Sequence, residues 1–282
     1  QSREKDWVEL LPDADAEYDR VIDIDLSTLK PLAAMPHMPD NVKAISEIGK
    51  IKVDQVLIGS CTNSSLLDMM KVAKILKGKK VNPNVSLGIA PGSKQVLNML
   101  ALNGALADMI DAGARILESA CGPCIGMGQS PCSSGVSLRT FNRNFEGRSG
   151  TADGKVYLVS PEVAAASAIT GYLTDPRDLG EFPEIILPDE FIINDNMVAM
   201  PATPEEAKAV EVIYGPNIKP FPTSEPMGDD ITAKAVLKVG DDITTDHIMP
   251  AGAKILPYRP NIHYLSQFCF RQCDENFAEH CK

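Results

Sequence analysis

Short aliphatic stretches alternate with turns and helix-like segments between residues 50 and 172, and this alternation constrains the fold more than any other feature. Strands are predicted at residues 55–59, 85–90, 114–117 and 156–159, and helices at 66–76, after 93, at 104–112 and at 161–171. Strand and helix patterns that follow each other in this way predict a mainly parallel sheet. We therefore expect a three-layer α/β/α domain with helices on both faces of the sheet.

Three cysteines follow two of the predicted strands. Cys61 comes directly after the strand at 55–59, where a helical pattern begins. Cys121 and Cys124 follow the strand at 114–117 in C-x-x-C spacing. Because the carboxyl ends of parallel strands meet at one edge of a sheet, we expect these thiols to converge there.

The chemistry of the three thiols stays open at this point. A C-x-x-C pair can bind zinc, exchange disulfides or be structurally inert. Zinc usually takes four protein ligands, and a redox dithiol has no need of Cys61. Three thiolates suit an iron–sulfur cluster that keeps one iron free for another ligand. Cys132 lies in a loop that leads away from the pair, so we do not expect it to be a ligand.

Two polar stretches are candidates for substrate contacts. The segment 140–148 carries Arg143 and Arg148, with Asn142 beside them. Paired arginines suit the bidentate binding of carboxylates, and the alternative is a solvated basic loop. In the second stretch, Asp246 and His247 stand side by side, either as a proton-transfer pair or as a capped turn.

The composition argues against several classes of protein. The chain has 282 residues and a net charge of −11, which disfavours nucleic acid and anionic membranes as partners. It contains no apolar run near the roughly 20 residues that cross a bilayer. The seven cysteines lack the spacing of a secreted disulfide framework. We expect a cytoplasmic protein, or one of the mitochondrial matrix if the source is eukaryotic.

The remaining chain suggests a modular organisation. Residues 1–20 are interpreted as the tail of a preceding element, 21–175 as the cysteine-bearing domain, 176–230 as a proline-rich linker and 231–282 as the start of another domain. Further strands are predicted at 21–26 and 233–239, and His37 is interpreted as a solvated loop histidine. The residues Cys269, Cys273, His280 and Cys281 suggest a zinc site only weakly, because they crowd one short segment.

Four motifs in order resemble those of the aconitase family. They are V-L-I-G-S-C-T-N-S (56–64), G-A-R-I-L-E-S-A-C-G-P-C-I-G (113–126), F-N-R-N-F-E-G-R (141–148) and G-D-D-I-T-T-D-H-I-M-P-A-G (240–252). The resemblance runs from about residue 21 to about residue 268. The C-G-P-C-I-G variant and the T-T-D-H-I motif on the same chain resemble members that isomerise citrate. Isopropylmalate isomerases of the family keep the mobile domain on a separate subunit.

The resemblance implies a [4Fe-4S] hydro-lyase that converts citrate to isocitrate through cis-aconitate. Cys61, Cys121 and Cys124 would each bind one iron. By motif position, the substrate contacts would be Asn142, Arg143, Arg148 and Arg259, and the catalytic residues Asp246 and His247. The alternatives are an isomerase of homocitrate, methylcitrate or isopropylmalate, or a non-catalytic RNA-binding member. The resemblance also implies a monomer that binds a small tricarboxylate.

The resemblance covers the family's third domain and the start of its fourth, or swivel, domain. The family's first two domains would precede Gln1, and its serine base would follow Lys282. We therefore expect this stretch to be a truncated part of the enzyme and inactive alone.

Overall fold

The computed structural model describes residues 7–181, 184–251 and 255–282. The chain divides into two units, Gln1–Lys30 and Pro31–Lys282.

The described part of the first unit is exposed and almost without regular structure. Its one helical turn, the 3₁₀ segment Leu26–Thr28, is capped by Asp25, whose carboxylate accepts a hydrogen bond from the Ser27 amide. The predicted strand at 21–26 is wrong, since no strand forms there and Val21 is 74% exposed. Alternating apolar residues make a strand only where a neighbouring strand satisfies the backbone, and none pairs with this segment in the described chain.

The second unit is built on a seven-stranded sheet with the order β2-β1-β7-β6-β3-β4-β5. Its strands are β1 Leu32–Ala34, β2 Val42–Ala44, β3 Gln55–Gly59, β4 Ser86–Ala90, β5 Arg115–Ile116, β6 Val136–Arg139 and β7 Lys155–Leu158. β1 pairs antiparallel with β2 and β7, and the other pairs are parallel. Four of these strands were predicted, whereas β1, β2 and β6 were missed.

The helices of the sheet domain are α1 Ile45–Ile48, α2 Leu66–Leu76, α3 Lys94–Leu102, α4 Ala105–Asp111 and α5 Pro161–Thr170. Serine caps explain where three of them start. Ser65 forms a capping box with Asp68, and the hydroxyls of Ser93 and Ser160 accept backbone N–H groups in the first turns of α3 and α5. The flanking helices and the mostly parallel sheet confirm the predicted α/β class.

The two faces of the sheet differ in chemistry. On one face, Val56, Ile58 and Leu138 join a single hydrophobic core with side chains of α2 to α5. The opposite face carries Gln55 and the other polar side chains of β3 and β6, and it is covered by the segment 123–130, which contains a 3₁₀ helix at Pro123–Ile125. A loop with a 3₁₀ turn therefore packs against this part of the opposite face.

The chain beyond residue 175 has little regular structure. It contains α6 Pro204–Ala207, α7 Thr245–Ile248, α8 Ile262–Leu265 and α9 Phe277–His280, with 3₁₀ turns at Pro176–Leu179, Leu256–Tyr258 and Ser266–Phe268. The predicted strand at 233–239 is wrong, because this segment is largely exposed and pairs with no strand in the described chain. Across the described ranges, every helix is too short or too polar to cross a bilayer. The predicted domain boundaries at 175 and 230 stay predictions.

Candidate functional site

The first cysteine stands on a tight turn at the end of β3. Gly59 has φ +113°, and a Cβ atom there would overlap the carbonyl oxygen of Ala90, so only glycine fits. Ser60 also takes a left-handed φ of 73°, and its amide donates to the same Ala90 oxygen at 2.9 Å. This reversal leaves Cys61 exposed at the sheet edge, directly before α2.

Of the other two cysteines, Cys121 lies just before the 3₁₀ helix Pro123–Ile125 and Cys124 lies within it. The sulfurs of Cys121 and Cys124 are 3.2 Å apart, and the Ser60 hydroxyl is 3.8 Å from the Cys121 sulfur. Gly126 closes the turn at φ +84°, where a Cβ atom would collide with the backbone of Ser149. The C-x-x-C loop is thus held between the Cys61 turn and the following segment.

The arginine loop, residues 140–148, is tied to the Cys61 turn by asparagine side chains. Asn63 Nδ2 donates to the Thr140 carbonyl at 2.5 Å, and Asn142 Nδ2 donates to Thr62 Oγ1 at 2.7 Å. The side chain of the buried Asn144 anchors the loop by donating hydrogen bonds to the carbonyls of Met35 and Val156. The bonds made by Asn63 and Asn142 join segments about 80 residues apart in sequence.

One cavity of about 80 Å³ gathers most of the predicted site residues. Its lining includes Cys61, Cys121, Cys124, Asn142, Arg143 and Arg148. The structure therefore brings the three thiols and the arginine loop together at one sheet edge. Their roles as ligands and substrate contacts remain predictions.

Arg148 also reaches the segment that carries the other two candidates. Its Nη1 lies 2.8 Å from Asp246 Oδ1, and the two side chains are only 9% and 13% exposed. Arg148 Nε and Asp246 Oδ2 are buried without a hydrogen-bond partner in the described part of the chain. A buried pair of this kind is costly to break by removing one partner.

A second cavity of about 440 Å³ lies on the other side of Arg148 and is lined by Asp246, His247 and His37, among others. His247 Nδ1 accepts the backbone N–H of Thr244 at 3.1 Å, so it caps α7, as the capped-turn alternative predicted. His37 lines this cavity with its Nδ1 buried, although sequence reasoning interpreted it as solvated.

Three other groups of residues considered in the sequence analysis lie outside the cysteine cavity. Arg259 is exposed and lines neither of these cavities, so its substrate contact stays a prediction. Cys132 is exposed outside the cysteine cavity. In the residues that the structure describes, no three His, Cys, Asp or Glu side chains are placed to hold one metal ion, which leaves the zinc interpretation of Cys269 to Cys281 without support.

The two kinds of thiol in the cavity have different acidities. The hydroxyl of Thr62 contributes most to lowering the pKa of Cys61. Burial, and after it the neighbouring Cys121 thiol, raises the pKa of Cys124 to about 11. Cys61 is therefore the readier thiolate, whereas Cys124 keeps its proton at neutral pH.

The donor set fits an iron–sulfur cluster better than a single ion. The three thiols line one cavity, which offers three thiolate ligands where a closed zinc site usually takes four. A cluster instead places each thiolate on a different iron. The sulfurs of Cys121 and Cys124 touch in this structure, so they have to turn apart to bind separate irons.

Sequence reasoning missed one residue beneath the cysteine loop. Arg139, at the end of β6, is fully buried on the polar face of the sheet. Its Nη1 donates to the carbonyl of Pro123, between the two cysteines of the C-x-x-C motif. The only signal in the sequence was an arginine within a short strand-like stretch.

Comparison with known proteins supports the resemblance noted above. Residues 41–171 match the family described as the aconitase family (aconitate hydratase). A 3-isopropylmalate dehydratase large subunit from Clostridium botulinum is 46% identical over 175 residues, which are 62% of this chain and 42% of that protein. A homoaconitase large subunit from Thermus thermophilus is 46% identical over 180 residues, 64% of this chain and 43% of that protein.

A third relative extends the same pattern. The 3-isopropylmalate dehydratase large subunit of Caldanaerobacter subterraneus is 47% identical over 168 residues, 59% of this chain and 40% of that protein. The chain thus spans well under half the length of the relatives it matches.

Proposed function

We propose, because residues 41–171 match the aconitase family, that the whole protein is a [4Fe-4S]-dependent hydro-lyase. It would isomerise a hydroxylated di- or tricarboxylic acid by removing water and adding it back. The observation that carries the proposal is the single cavity that three thiols share with the arginine loop. Thiolates supply the cluster ligands, and arginines supply the carboxylate contacts.

The cluster, when bound through Cys61, Cys121 and Cys124, supplies a Lewis-acidic iron that makes a substrate hydroxyl a better leaving group. The protein's own residues bind and orient the acid. Arg143 is exposed at the cavity, where it can meet a substrate carboxylate. Asp246 fixes one arm of Arg148, and Arg148 Nε, which has no hydrogen-bond partner among the described residues, would donate to a substrate carboxylate.

Two sets of observations bear on the substrate. The relatives' names favour 3-isopropylmalate or homoaconitate, both carboxylic acids of the same general class. Citrate is the second candidate, favoured by the C-G-P-C-I-G motif and by the T-T-D-H-I segment on the same chain. A tricarboxylate has one more carboxylate to bind than isopropylmalate, so the number of cationic groups facing substrate distinguishes the candidates.

A parallel assay tests the activity and the substrate together. The full-length protein is reconstituted with iron and sulfide without oxygen, and its visible spectrum is recorded. Conversion of 3-isopropylmalate, homocitrate and citrate is then followed by the ultraviolet absorbance of the unsaturated intermediate. We expect turnover of one acid to dominate, and a coloured protein that turns over none of the three would contradict the proposal.

The assembly state and the compartment are proposals as well. The sequence resemblance implies a monomer, whereas the matched relatives are called large subunits and so assemble with another chain. A mass measurement on the full-length protein distinguishes a single chain from a complex. We also propose a reducing compartment, the cytoplasm or the mitochondrial matrix, because the cysteines described are free thiols.

A further inference from the structure

Arg139 is a buried cation without a carboxylate contact among the residues that the structure describes. Its exposure is 0%. Its guanidinium donates to Ser137 Oγ at 3.0 Å, to Gln55 Oε1 at 3.1 Å, and to the carbonyl oxygens of Pro123 and Gln129. All four acceptors are neutral, and burying a charge without an opposite charge nearby is costly.

The acceptors show which part of the site this arginine serves. Pro123 lies between the two cysteines of the C-x-x-C motif, and Gln129 lies on the same covering segment. Gln55 reinforces the arrangement, because its Oε1 accepts from Arg139 and Ser137 while its Nε2 donates to the Ser130 carbonyl. The network fastens the underside of the cysteine loop to β3 and β6.

The positive charge of Arg139 also lies on the side of the cysteine loop. Burial lowers the pKa of Arg139 to about 10, and the attraction of the Cys124 sulfur acts in the opposite sense. A guanidinium with a pKa of about 10 still carries its charge at neutral pH. The hydrogen bond to the Pro123 carbonyl likewise places the buried positive charge beneath the loop that carries Cys121 and Cys124.

We propose that Arg139 is a positioning residue for the cysteine loop and the buried counter-charge for the thiolate-bound cluster. The loop part of this inference stands on the hydrogen bonds alone, while the counter-charge part rests on the proposed function. A positive charge beneath the cluster stabilises its reduced, more negative state and so raises its reduction potential.

Three variants of the full-length protein separate charge from hydrogen bonding. Arg139→Gln removes the charge and keeps a polar side chain, and Arg139→Lys keeps the charge but loses the planar fork. Arg115→Gln is the matched control, because Arg115 donates to Gly128 on the same segment at 3.1 Å yet is exposed to solvent.

The first measurement needs no cluster. Amide hydrogen exchange in residues 120–130 of the metal-free protein should speed up by roughly an order of magnitude in both Arg139 variants, because the loop loses charge-assisted bonds to a buried guanidinium. The Arg115→Gln control should exchange like the wild type. Wild-type exchange rates in both Arg139 variants would overturn the positioning role, whatever the cluster does.

The second measurement is an EPR-monitored redox titration of the reconstituted proteins, with iron and sulfide content measured alongside. We expect Arg139→Gln to shift the midpoint potential to more negative values or to lose the cluster, and Arg139→Lys to stay near the wild type. Equal shifts or equal cluster loss in both variants would overturn the counter-charge role. A wild-type protein that binds no cluster would refute the proposed function instead, and with it the counter-charge role.

Discussion

The two faces of the sheet use the same strands for different purposes. On β6, Leu138 faces the helices and pairs in register with Val56, while the next residue, Arg139, faces the cysteine loop and pairs with Leu57. The helical face is stabilised by apolar burial, which is strong and non-directional. The loop face depends on hydrogen bonds with defined partners. The comparison indicates that stability and site geometry are divided between the faces, so substitutions on each should have separable effects.

The largest effect on the loop face is expected from Cys124→Ser in the full-length protein. Removing one of three thiolates should abolish the broad visible absorbance and the hydro-lyase activity together, because serine is a poor ligand for cluster iron. Anaerobic reconstitution followed by spectra and rate measurements checks both. Cys132→Ser removes an exposed thiol outside the cavity and should keep both properties. Colour and activity in the Cys124 variant would refute the three-thiol site.

A core substitution on the helical face should have the opposite signature. Leu138→Ala deletes a fully buried side chain and should lower the free energy of unfolding by about 2–5 kcal/mol. Urea unfolding of the metal-free protein measures this loss. The cluster spectrum of the folded fraction should match the wild type. A changed spectrum would mean that the two faces are not separable.

Arg148→Ala tests the carboxylate contact on the loop face. A buried, charge-assisted arginine–carboxylate contact contributes about 1.5–3 kcal/mol, so kcat/KM should fall roughly ten- to hundred-fold while the cluster spectrum stays. Asp246→Asn keeps the side-chain shape and removes only the charge that fixes one arm of Arg148. Its kcat/KM should therefore fall less than that of Arg148→Ala. Full activity in the Arg148 variant would rule out the substrate role of this loop.

The smallest expected effect is a pH dependence that comes from Cys124. Because its pKa is about 11 in the folded chain against an ordinary 9.0, Cys124 stays protonated after the unfolded chain has lost its proton. Its contribution to stability is complete below about pH 9 and is lost as the pH rises through about 11. The free energy of unfolding of the metal-free protein, measured at about pH 8 and about pH 11, should fall less between the two in Cys124→Ser than in the wild type.

The control for this pH effect is again Cys132→Ser, whose free energy of unfolding should fall with pH as it does in the wild type. The opposing contribution of Cys61, whose pKa is lowered by Thr62, is present in all three proteins and cancels in the comparison. An identical decline in the wild type and Cys124→Ser would mean that the Cys124 thiol is not perturbed by its surroundings.

The helical face was predictable because its signals are local. The helix α2 occupies the predicted residues 66–76, since a serine cap and apolar residues at helical spacing act within one segment. The strand β3 likewise has the predicted bounds 55–59. The strand β6 was missed because Ser137 and Arg139 give it a polar pattern, although both are buried.

The candidate site was predictable only in part. The convergence of Cys61 with Cys121 and Cys124 followed from their positions at strand ends, and the structure places all three in one cavity. The role of Arg139 could not be derived, because its acceptors on β3 and the cysteine loop are known only once the chain is folded. The predicted strands at 21–26 and 233–239 failed for the related reason that alternation does not supply a pairing partner.

The contact between Arg148 and Asp246 joins two residues that are 98 positions apart on one polypeptide. Covalent continuity turns this encounter into an intramolecular one, with an effective concentration set by the tether rather than by the amount of protein. If the two residues sat on separate chains, dilution would separate them and leave Arg148 without its carboxylate. On a single chain the arginine remains oriented at any dilution, so the carboxylate-binding geometry of this cavity should persist where a two-chain version would dissociate.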